Sequence, residues 1–240
     1  MKYLRLFKTE TEYNSAILEL PNVSYVEDTE VVIYTPGSEG PVAPVGASIY
    51  GLDGKFYSVS EWTAAGKSNS DAVGVAVSDG EHNFVIHPTA QQENIIWSSN
   101  TSVTIDGVFT TMDTATAQGD FAGEANTSAI LAAVQAGIIE NAPAAQYATS
   151  ITFANGKTGY LLAAGELELA YDYLSDINGC LDAIDGTTLS LDSKMQTKKY
   201  WTSTQQSYFN AWHWSGNKLS VYGSFKYYDT GHCVRVVAAL

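Results

Sequence analysis

The side chains that most often perform catalysis or hold metals are few in this chain and widely spaced. The histidines and cysteines are His82, His87, His213, His232, Cys180 and Cys233. No histidine has a carboxylate or thiol at a spacing typical of a metal site, and His82 and His87 should point to opposite faces of a strand-like run. Cysteines so far apart exclude a disulfide framework and a zinc site of close thiol pairs, while one long-range bridge and two free thiols both stay open.

Acyl-transfer and calcium chemistry have equally little support. There is no Gly-x-Ser-x-Gly motif to place a serine nucleophile on a sharp turn. Asp182, Asp185 and Asp192 follow a predicted helix and are typical of solvated turn acids, with a calcium site as the alternative. We therefore expect no enzyme, no metal site and no cofactor.

The strongest functional signal is the aromatic stretch at residues 207–233, SYFNAWHWSGNKLSVYGSFKYYDTGHC. Tyrosine and tryptophan provide large contact areas with few rotatable bonds, while serine, glycine and asparagine provide adaptable hydrogen bonds. Composition alone leaves two interpretations open. One is an evolved binding surface, and the other is an aromatic-rich antiparallel sheet edge with an exposed loop.

Charge is divided unevenly along the chain. The whole chain has 12 Lys+Arg and 26 Asp+Glu, a net charge of −14, but residues 193–240 hold six basic residues, one acidic residue and ten of the 28 aromatics. This balance excludes a nucleic-acid binder that depends on phosphate neutralisation. No apolar run approaches the roughly 20 residues of a membrane-spanning helix, so we expect no membrane insertion. No secretory signal is visible, which makes a cell-surface location the less expected one.

The elements that must position the aromatic stretch begin with a small N-terminal part, residues 1–44. The Thr9 and Glu12 pair has the capping-box spacing that predicts a short helix. Two β-rich runs at 23–26 and 31–34 predict a hairpin, and a segment rich in proline and glycine then predicts a linker.

Residues 45–240 contain strands, then helices, then strands again. Strands are predicted at 47–50, 72–77, 83–86, 95–97 and 102–105. Asp-Gly pairs at 53–54, 79–80 and 106–107 predict tight turns. Helices are predicted at 127–136, capped by Asn126 and stopped by Gly137, and at 166–181. A βαβ alternation and a glycine-rich phosphate loop are missing from the sequence, which indicates an α+β class.

Several short motifs connect these elements to a known family. They are GYLLAAGEL at 159–167, IN at 177–178, YWTSTQ at 200–205, AW at 211–212 and VRVV at 234–237, preceded by VGVAV at 73–77 and GEANT at 123–127. In this order and spacing, residues 45–240 resemble the retroelement-diversified variable proteins of bacteria and their phages. These have the C-type lectin fold of the formylglycine-generating-enzyme-like branch. Residues 1–36 resemble a leader segment on proteins of gut-bacterial phages.

The resemblance implies a test within the sequence. Such systems introduce errors at template adenines, and the codons that they diversify cannot encode Gln, Glu, Lys, Met or Trp. These types fill eight of 14 positions in 193–206 but four of 27 in 207–233, namely Trp212, Trp214, Lys218 and Lys226. The change falls directly after YWTSTQ, where the family's variable region begins. A loop rich in Ser, Tyr and Gly would also be poor in these types.

The resemblance also implies which residues are scaffold and which read a ligand. The predicted scaffold residues are Trp201, Trp212, Trp214 and Arg235. The Arg235 guanidinium should pair with a carboxylate or with backbone carbonyls, because a buried guanidinium needs partners. The positions expected to project from a rigid face are Tyr208, Phe209, Asn210, His213, Ser215, Asn217, Ser220, Tyr222, Ser224, Phe225, Tyr227, Tyr228, Asp229 and His232.

The function implied is a non-enzymatic, hypervariable receptor-binding protein or adhesin, with residues 1–44 as a docking or oligomerisation segment. Expected partners are a host-surface protein or glycan, further copies of the chain, and phage-particle subunits. Expected locations are a phage tail and, before assembly, the bacterial cytoplasm. The sequence lacks the calcium motifs of carbohydrate-binding relatives and the cysteine pair of catalytic ones. Two alternatives stay open: a structural phage-particle protein without a diversified site, and a divergent enzyme with a deep polar pocket.

Overall fold

The computed structural model describes residues 42–99, 102–191, 198–216, 218–220 and 223–240, together with the backbone of 25–27 and 30–32. The chain divides into two units, Met1–Val42 and Ala43–Leu240. In the first, β1 (Tyr25–Glu27) and β2 (Glu30–Val32) pair antiparallel, which confirms the predicted hairpin. The helix predicted near Glu12 lies outside the described residues, and the role of residues 1–44 stays a prediction.

The second unit is built on a large, mostly antiparallel sheet. Its strands are β3 (Gly46–Gly51), β4 (Phe56–Tyr57), β5 (Ala72–Ser78), β6 (Asn83–Glu93), β7 (Tyr160–Leu161), β8 (Lys199–Gln205), β9 (Asn210–Ser215), β10 (Lys218–Leu219), β11 (Ser224–Phe225) and β12 (His232–Ala238). The strand order is β10-β9-β8-β12-β6-β5-β3-β4, with β11 beside β9 and β7 beside β12. β12 and β8 are parallel neighbours, whereas β12 pairs antiparallel with β6 and β7.

Helices cover both faces of this sheet. They are α1 (Val59–Ala64), α2 (Thr114–Gln118), α3 (Gly123–Gln135), α4 (Pro143–Ser150), α5 (Ala164–Asp172) and α6 (Leu174–Ala183), with a 3-10 turn at Asn69–Asp71. Phe84 and Ile86 of β6 belong to the core cluster that includes residues of α1, α5 and α6. Val85, between them, belongs to the cluster that includes residues of α3 and α4. The α+β class is therefore confirmed, and the C-type lectin topology stays a prediction.

The helix predictions need two corrections. Helix α3 begins at Gly123, so Asn126 lies inside it and is not its cap. The Asn126 amide instead accepts a hydrogen bond from the Phe109 backbone N–H at 2.8 Å and donates to Asp120 Oδ2 at 2.8 Å. The helix predicted at 166–181 is two helices, because Tyr173 between them has φ −107° and ψ 20°. Helices α1, α2 and α4 were missed, and all three are short, with six, five and eight residues.

Two predicted strands, at 95–97 and 102–105, are wrong. Both segments have the apolar residues of a buried strand, and Trp97 and Ile105 are indeed buried. Their backbones do not join a ladder, however. The Trp97 N–H bonds to the Lys226 carbonyl at 2.8 Å, and the Ile95 N–H bonds to the His232 carbonyl at 3.3 Å. The segment at 94–98 is therefore a loop, buried at Trp97 and Ser98, and it lies against the C-terminal part of the aromatic stretch.

Candidate ligand-binding site

Five exposed aromatic side chains form the most prominent feature of the aromatic stretch. Their exposed fractions are 49% for Tyr208, 37% for Phe209, 40% for Phe225, 45% for Tyr227 and 47% for Tyr228. The Tyr208 and Phe209 ring centroids lie 4.0 Å apart. Phe225, Tyr227 and Tyr228 all contact one another, with centroid separations of 4.9 to 5.5 Å. We call these five residues the aromatic face.

Backbone pairing brings the two groups of rings together. Strand β11 pairs antiparallel with β9, so Phe225 lies opposite Asn210. One residue further on, the Lys226 N–H donates to the Phe209 carbonyl at 3.1 Å. The rings of the aromatic face therefore project from two adjoining, hydrogen-bonded segments. Clustered exposed rings are unusual on a surface that contacts only water, and they are typical of binding sites.

The polar positions predicted to read a ligand divide into three groups. Asp229 is exposed at the end of the turn that carries Tyr227 and Tyr228. The half-buried positions are Asn210, Ser215, Ser220 and Ser224. Asn217 and Tyr222 lie outside the described residues.

His213 and His232 do not project from the surface, and this part of the prediction is wrong. His213 is 5% exposed and His232 is 1% exposed. The His232 ring stacks on Trp201 with centroids 4.1 Å apart, and His213 meets Trp201 edge-on at 5.9 Å. Burial lowers the pKa of His213 to about 3 and that of His232 to about 4. Both imidazoles are therefore neutral parts of the core beneath the surface.

The four predicted scaffold residues are all buried. Trp201, Trp212 and Trp214 are at most 1% exposed, and their indole N–H groups donate to the carbonyls of Ile95, Thr111 and Leu191, each at 2.9 Å. Arg235 is also 1% exposed, and its Nη2 donates to the His87 and Pro88 carbonyls at 2.8 and 3.0 Å. These bonds tie strands β8 and β9 to loops elsewhere in the unit and tie β12 to β6.

The polar side chains of YWTSTQ are buried and take part in hydrogen bonds. Thr204 Oγ1 donates to Asp120 Oδ2 at 2.7 Å and accepts from the Ala164 N–H at 2.9 Å. Just beyond the motif, Gln206 Oε1 accepts from the Gly223 N–H at 3.0 Å. A Cβ on Gly223 would lie 2.6 Å from that oxygen, which explains glycine at this position. The residues under the aromatic face are thus fixed by specific hydrogen bonds.

Lys226 is a structural residue that the sequence prediction missed. It lies between rings of the aromatic face in sequence, but its side chain is completely buried. Its Nζ donates to the Val103 carbonyl at 2.8 Å and to the Tyr208 carbonyl at 3.3 Å. One feature of the sequence could have indicated this role. Lysine is one of the few residue types in 207–233 that the codons diversified in such systems cannot encode.

A second concave site lies near α3 and α5. Its cavity of about 370 Å³ is lined by Glu166, Tyr160, Glu124, Phe121 and Asn83, among others. Burial raises the pKa of Glu166 to about 8. The Tyr160 hydroxyl donates to its Oε1 at 2.9 Å, and the Ala163 N–H donates to its Oε2 at 2.7 Å. These two bonds give Glu166 a structural role at the start of α5.

The described ranges contain no cluster of three or more His, Cys, Asp or Glu side chains arranged to hold a metal ion. Cys180 and Cys233 are buried free thiols. Among the described helices, none has the length and apolar character needed to cross a membrane.

Comparison with known proteins gives one informative similarity. No family model matches the sequence, and no curated protein matches it. The crystal structure of a fimbrial protein from Bacteroides ovatus ATCC 8483 aligns with a TM-score of 0.56 at 15% identity. The two chains share a fold. The alignment covers 82% of this chain and 49% of that one, so this chain spans about half the length of the fimbrial protein.

Proposed function

We propose that this protein is a surface-binding protein, a receptor-binding protein or adhesin, that contacts its ligand through the aromatic face. The observation that carries the proposal is the grouping of five exposed rings on hydrogen-bonded segments above a buried scaffold. Such rings are the side chains that most often dominate binding energy. The fold shared with a fimbrial protein supports a role at a surface.

We further propose that the unit at 43–240 is a C-type lectin-like scaffold diversified by a retroelement. The burial of the residues that diversification excludes supports this. Of the four such residues in 207–233, Trp212, Trp214 and Lys226 are fully buried, and Lys218 alone is exposed. Diversification would then vary the surface and leave the support unchanged. The flanking DNA tests the idea: a reverse transcriptase gene and a near-repeat of the segment encoding 207–233 should lie nearby, and a neighbourhood without either contradicts it.

The proposed partners are a host-surface protein or glycan, with further copies of the chain or phage-particle subunits as assembly partners. Residues 1–44 would dock the chain on a phage tail, where several copies would raise weak single-site affinity through avidity. The proposal includes no nucleic acid, no membrane insertion, no cofactor and no catalysis.

A binding experiment tests the proposal directly. The fluorescently labelled full chain is incubated with a panel of intact gut-bacterial cells, and bound protein is measured by flow cytometry. The variant with Phe225→Ala, Tyr227→Ala and Tyr228→Ala should lose binding by about thirtyfold or more, since one hot-spot residue contributes about 2 kcal/mol. The matched control replaces exposed apolar residues elsewhere, with Phe109→Ala, Met112→Ala and Ile138→Ala, and should bind normally.

The two alternatives give different outcomes. A structural particle protein would show no cell binding, and the aromatic triple variant would instead fail to assemble into particles. An enzyme of the formylglycine-generating group would depend on the cavity beside Glu166, so its activity would survive the aromatic substitutions and be lost in Glu166→Gln.

A further inference from the structure

The turn between β11 and β12 carries Tyr227, Tyr228 and Asp229 and completes the aromatic face. It is held against the loop at 94–98 by backbone hydrogen bonds at both of its ends. The Lys226 carbonyl, at the first end, accepts from the Trp97 N–H at 2.8 Å and from the Ser98 N–H at 3.1 Å. The position of the exposed rings therefore depends on what holds the two ends of this turn.

Lys226 anchors the first end through its side chain as well. Its stem passes into the core, and Nζ lies 4.9 Å from the centroid of the Trp97 ring. The two carbonyl oxygens that Nζ contacts, on Val103 and Tyr208, match the two N–H donors of an uncharged amine. No carboxylate in the described part of the chain pairs with this ammonium. Burial without a carboxylate partner favours the neutral amine, whereas the Trp97 ring alone favours the charged form.

His232 anchors the second end. Its carbonyl accepts from the Ile95 N–H at 3.3 Å, and its buried ring stacks on Trp201. The His213 ring approaches it at 5.3 Å from β9. A buried imidazole stacked on an indole is again an environment in which the uncharged form is favoured.

We propose that Lys226 and His232 are positioning residues that hold the aromatic turn in place while they are uncharged, so that acidification releases the turn and disorders the aromatic face. This inference rests on the binding role proposed above for that face. It predicts that the protein binds its ligand at neutral or alkaline pH and releases the ligand at acidic pH.

The charges around the two anchors support this direction. Burial alone lowers the pKa of Lys226 to about 7. Burial is the main reason that the pKa of His232 falls to about 4, Lys199 on β8 lowers it further, and the Thr230 backbone and Asp229 oppose the shift. Burial and the neighbouring His232 and Lys199 also lower the pKa of His213, so it adds no compensating charge.

Proton linkage gives the direction in which pH changes the opening of the turn. A base with a lower pKa in the closed turn than in the open turn stabilises the closed form above its ordinary pKa, and this stabilisation is lost as the pH falls. The stabilisation of the closed turn through Lys226 is lost as the pH falls from 10.5 to about 7, and that through His232 is lost as the pH falls from 6.5 to about 4. Between pH 8.0 and pH 5.5, linkage raises the opening equilibrium by about tenfold through Lys226 and by about tenfold through His232.

Hydrogen exchange of the full chain tests the proposal without a ligand. Exchange is followed by mass spectrometry at pH 8.0 and 5.5, and protection factors are corrected for intrinsic rates at each pH. Protection of the Trp97, Ser98 and Lys226 amides should fall by about 100-fold at pH 5.5. Amides of β5 and β6 should stay better protected than these three, because the turn opens without the sheet.

Three variants identify the groups responsible. In Lys226→Met and in His232→Phe, which keeps a ring on Trp201, the fall in protection should shrink to about tenfold. Lys218→Met, at an exposed position on β10, should retain the full 100-fold fall. If Lys226→Met does not fold, His232→Phe carries the test alone.

The opposite outcomes overturn the proposal. One is a change in protection between pH 8.0 and 5.5 of less than about threefold in the wild-type protein. Another is a change in protection that is undiminished in both anchor variants. The third is an equal loss of protection in the turn and in β5 and β6. The result is separable from the proposed function. Flat pH dependence with loss of cell binding in the aromatic variant contradicts this inference alone, whereas pH-dependent opening with normal binding in that variant contradicts the proposed function alone.

Discussion

Replacement of Glu166 by glutamine should make the protein increasingly stable relative to wild type as the pH rises from acidic to alkaline. Glu166 is 4% exposed, and burial outweighs its hydrogen bonds from Ala163 and Tyr160, so that its pKa rises to about 8. An acid with a raised pKa in the folded state stabilises the fold at low pH, and this contribution is lost as the pH rises through the folded-state value. Glutamine has no such proton to lose.

The magnitude follows from the two pKa values of Glu166, 4.5 for the unfolded chain and about 8 for the fold. Between pH 5 and pH 8.5, linkage removes about 4 kcal/mol of the wild-type free energy of unfolding through this group. The other titrating groups contribute equally to wild type and variant, so they cancel in the difference. The stability of Glu166→Gln relative to wild type should therefore rise by about 4 kcal/mol over this range.

Urea denaturation followed by circular dichroism at the two pH values measures this difference. Glu124→Gln is the matched control, because Glu124 lines the same cavity but is exposed, and its relative stability should change little. A constant difference in the free energy of unfolding between Glu166→Gln and wild type at pH 5 and 8.5 would contradict this prediction. It would mean that Glu166 ionises in the fold as readily as in water.

Packing and buried hydrogen bonds give the remaining predictions. Gly159→Ala should lower the free energy of unfolding by about 2 kcal/mol or more, because the new Cβ would lie 2.4 Å from Val236 Cγ1. Gly179→Ala should instead raise it by up to about 1 kcal/mol, since that helical position has open space; thermal unfolding compares the two. Thr204→Val should cost about 1 to 3 kcal/mol by leaving Asp120 without its hydroxyl donor, and Thr204→Ser should recover most of the loss in urea denaturation.

The exposed rings were predictable from sequence, but the buried polar residues among them were not. Phe225, Tyr227 and Tyr228 lie in a short segment of turn and edge strand with little room to bury large rings. His213 was expected at the surface, yet strand β9 is buried at Ala211–Trp214 without the alternation of a half-exposed strand. The sequence of a strand covered on both faces does not alternate apolar and polar residues. The residues around His213 therefore do not show whether its side chain is buried or exposed.

Contacts between distant segments explain the other failures. Lys226 is buried because carbonyls of Val103 and Tyr208, far apart in sequence, meet at its Nζ. The apolar pattern at 95–97 correctly predicts burial, but the backbone partners of that segment belong to residues 226 and 232. Local patterns report which side chains are apolar, whereas the pairing of loops depends on the assembled fold.

Photo-crosslinking from the aromatic face shows whether these rings contact the ligand on the cell. The full chain is prepared with Tyr227→p-benzoylphenylalanine or, as the control, with Phe109→p-benzoylphenylalanine, and each is irradiated on cells that bind the wild-type protein. We expect a covalent adduct with a cell-surface molecule from position 227 and none from position 109. Adducts from position 109 alone, with binding intact, would place the ligand elsewhere and contradict this expectation.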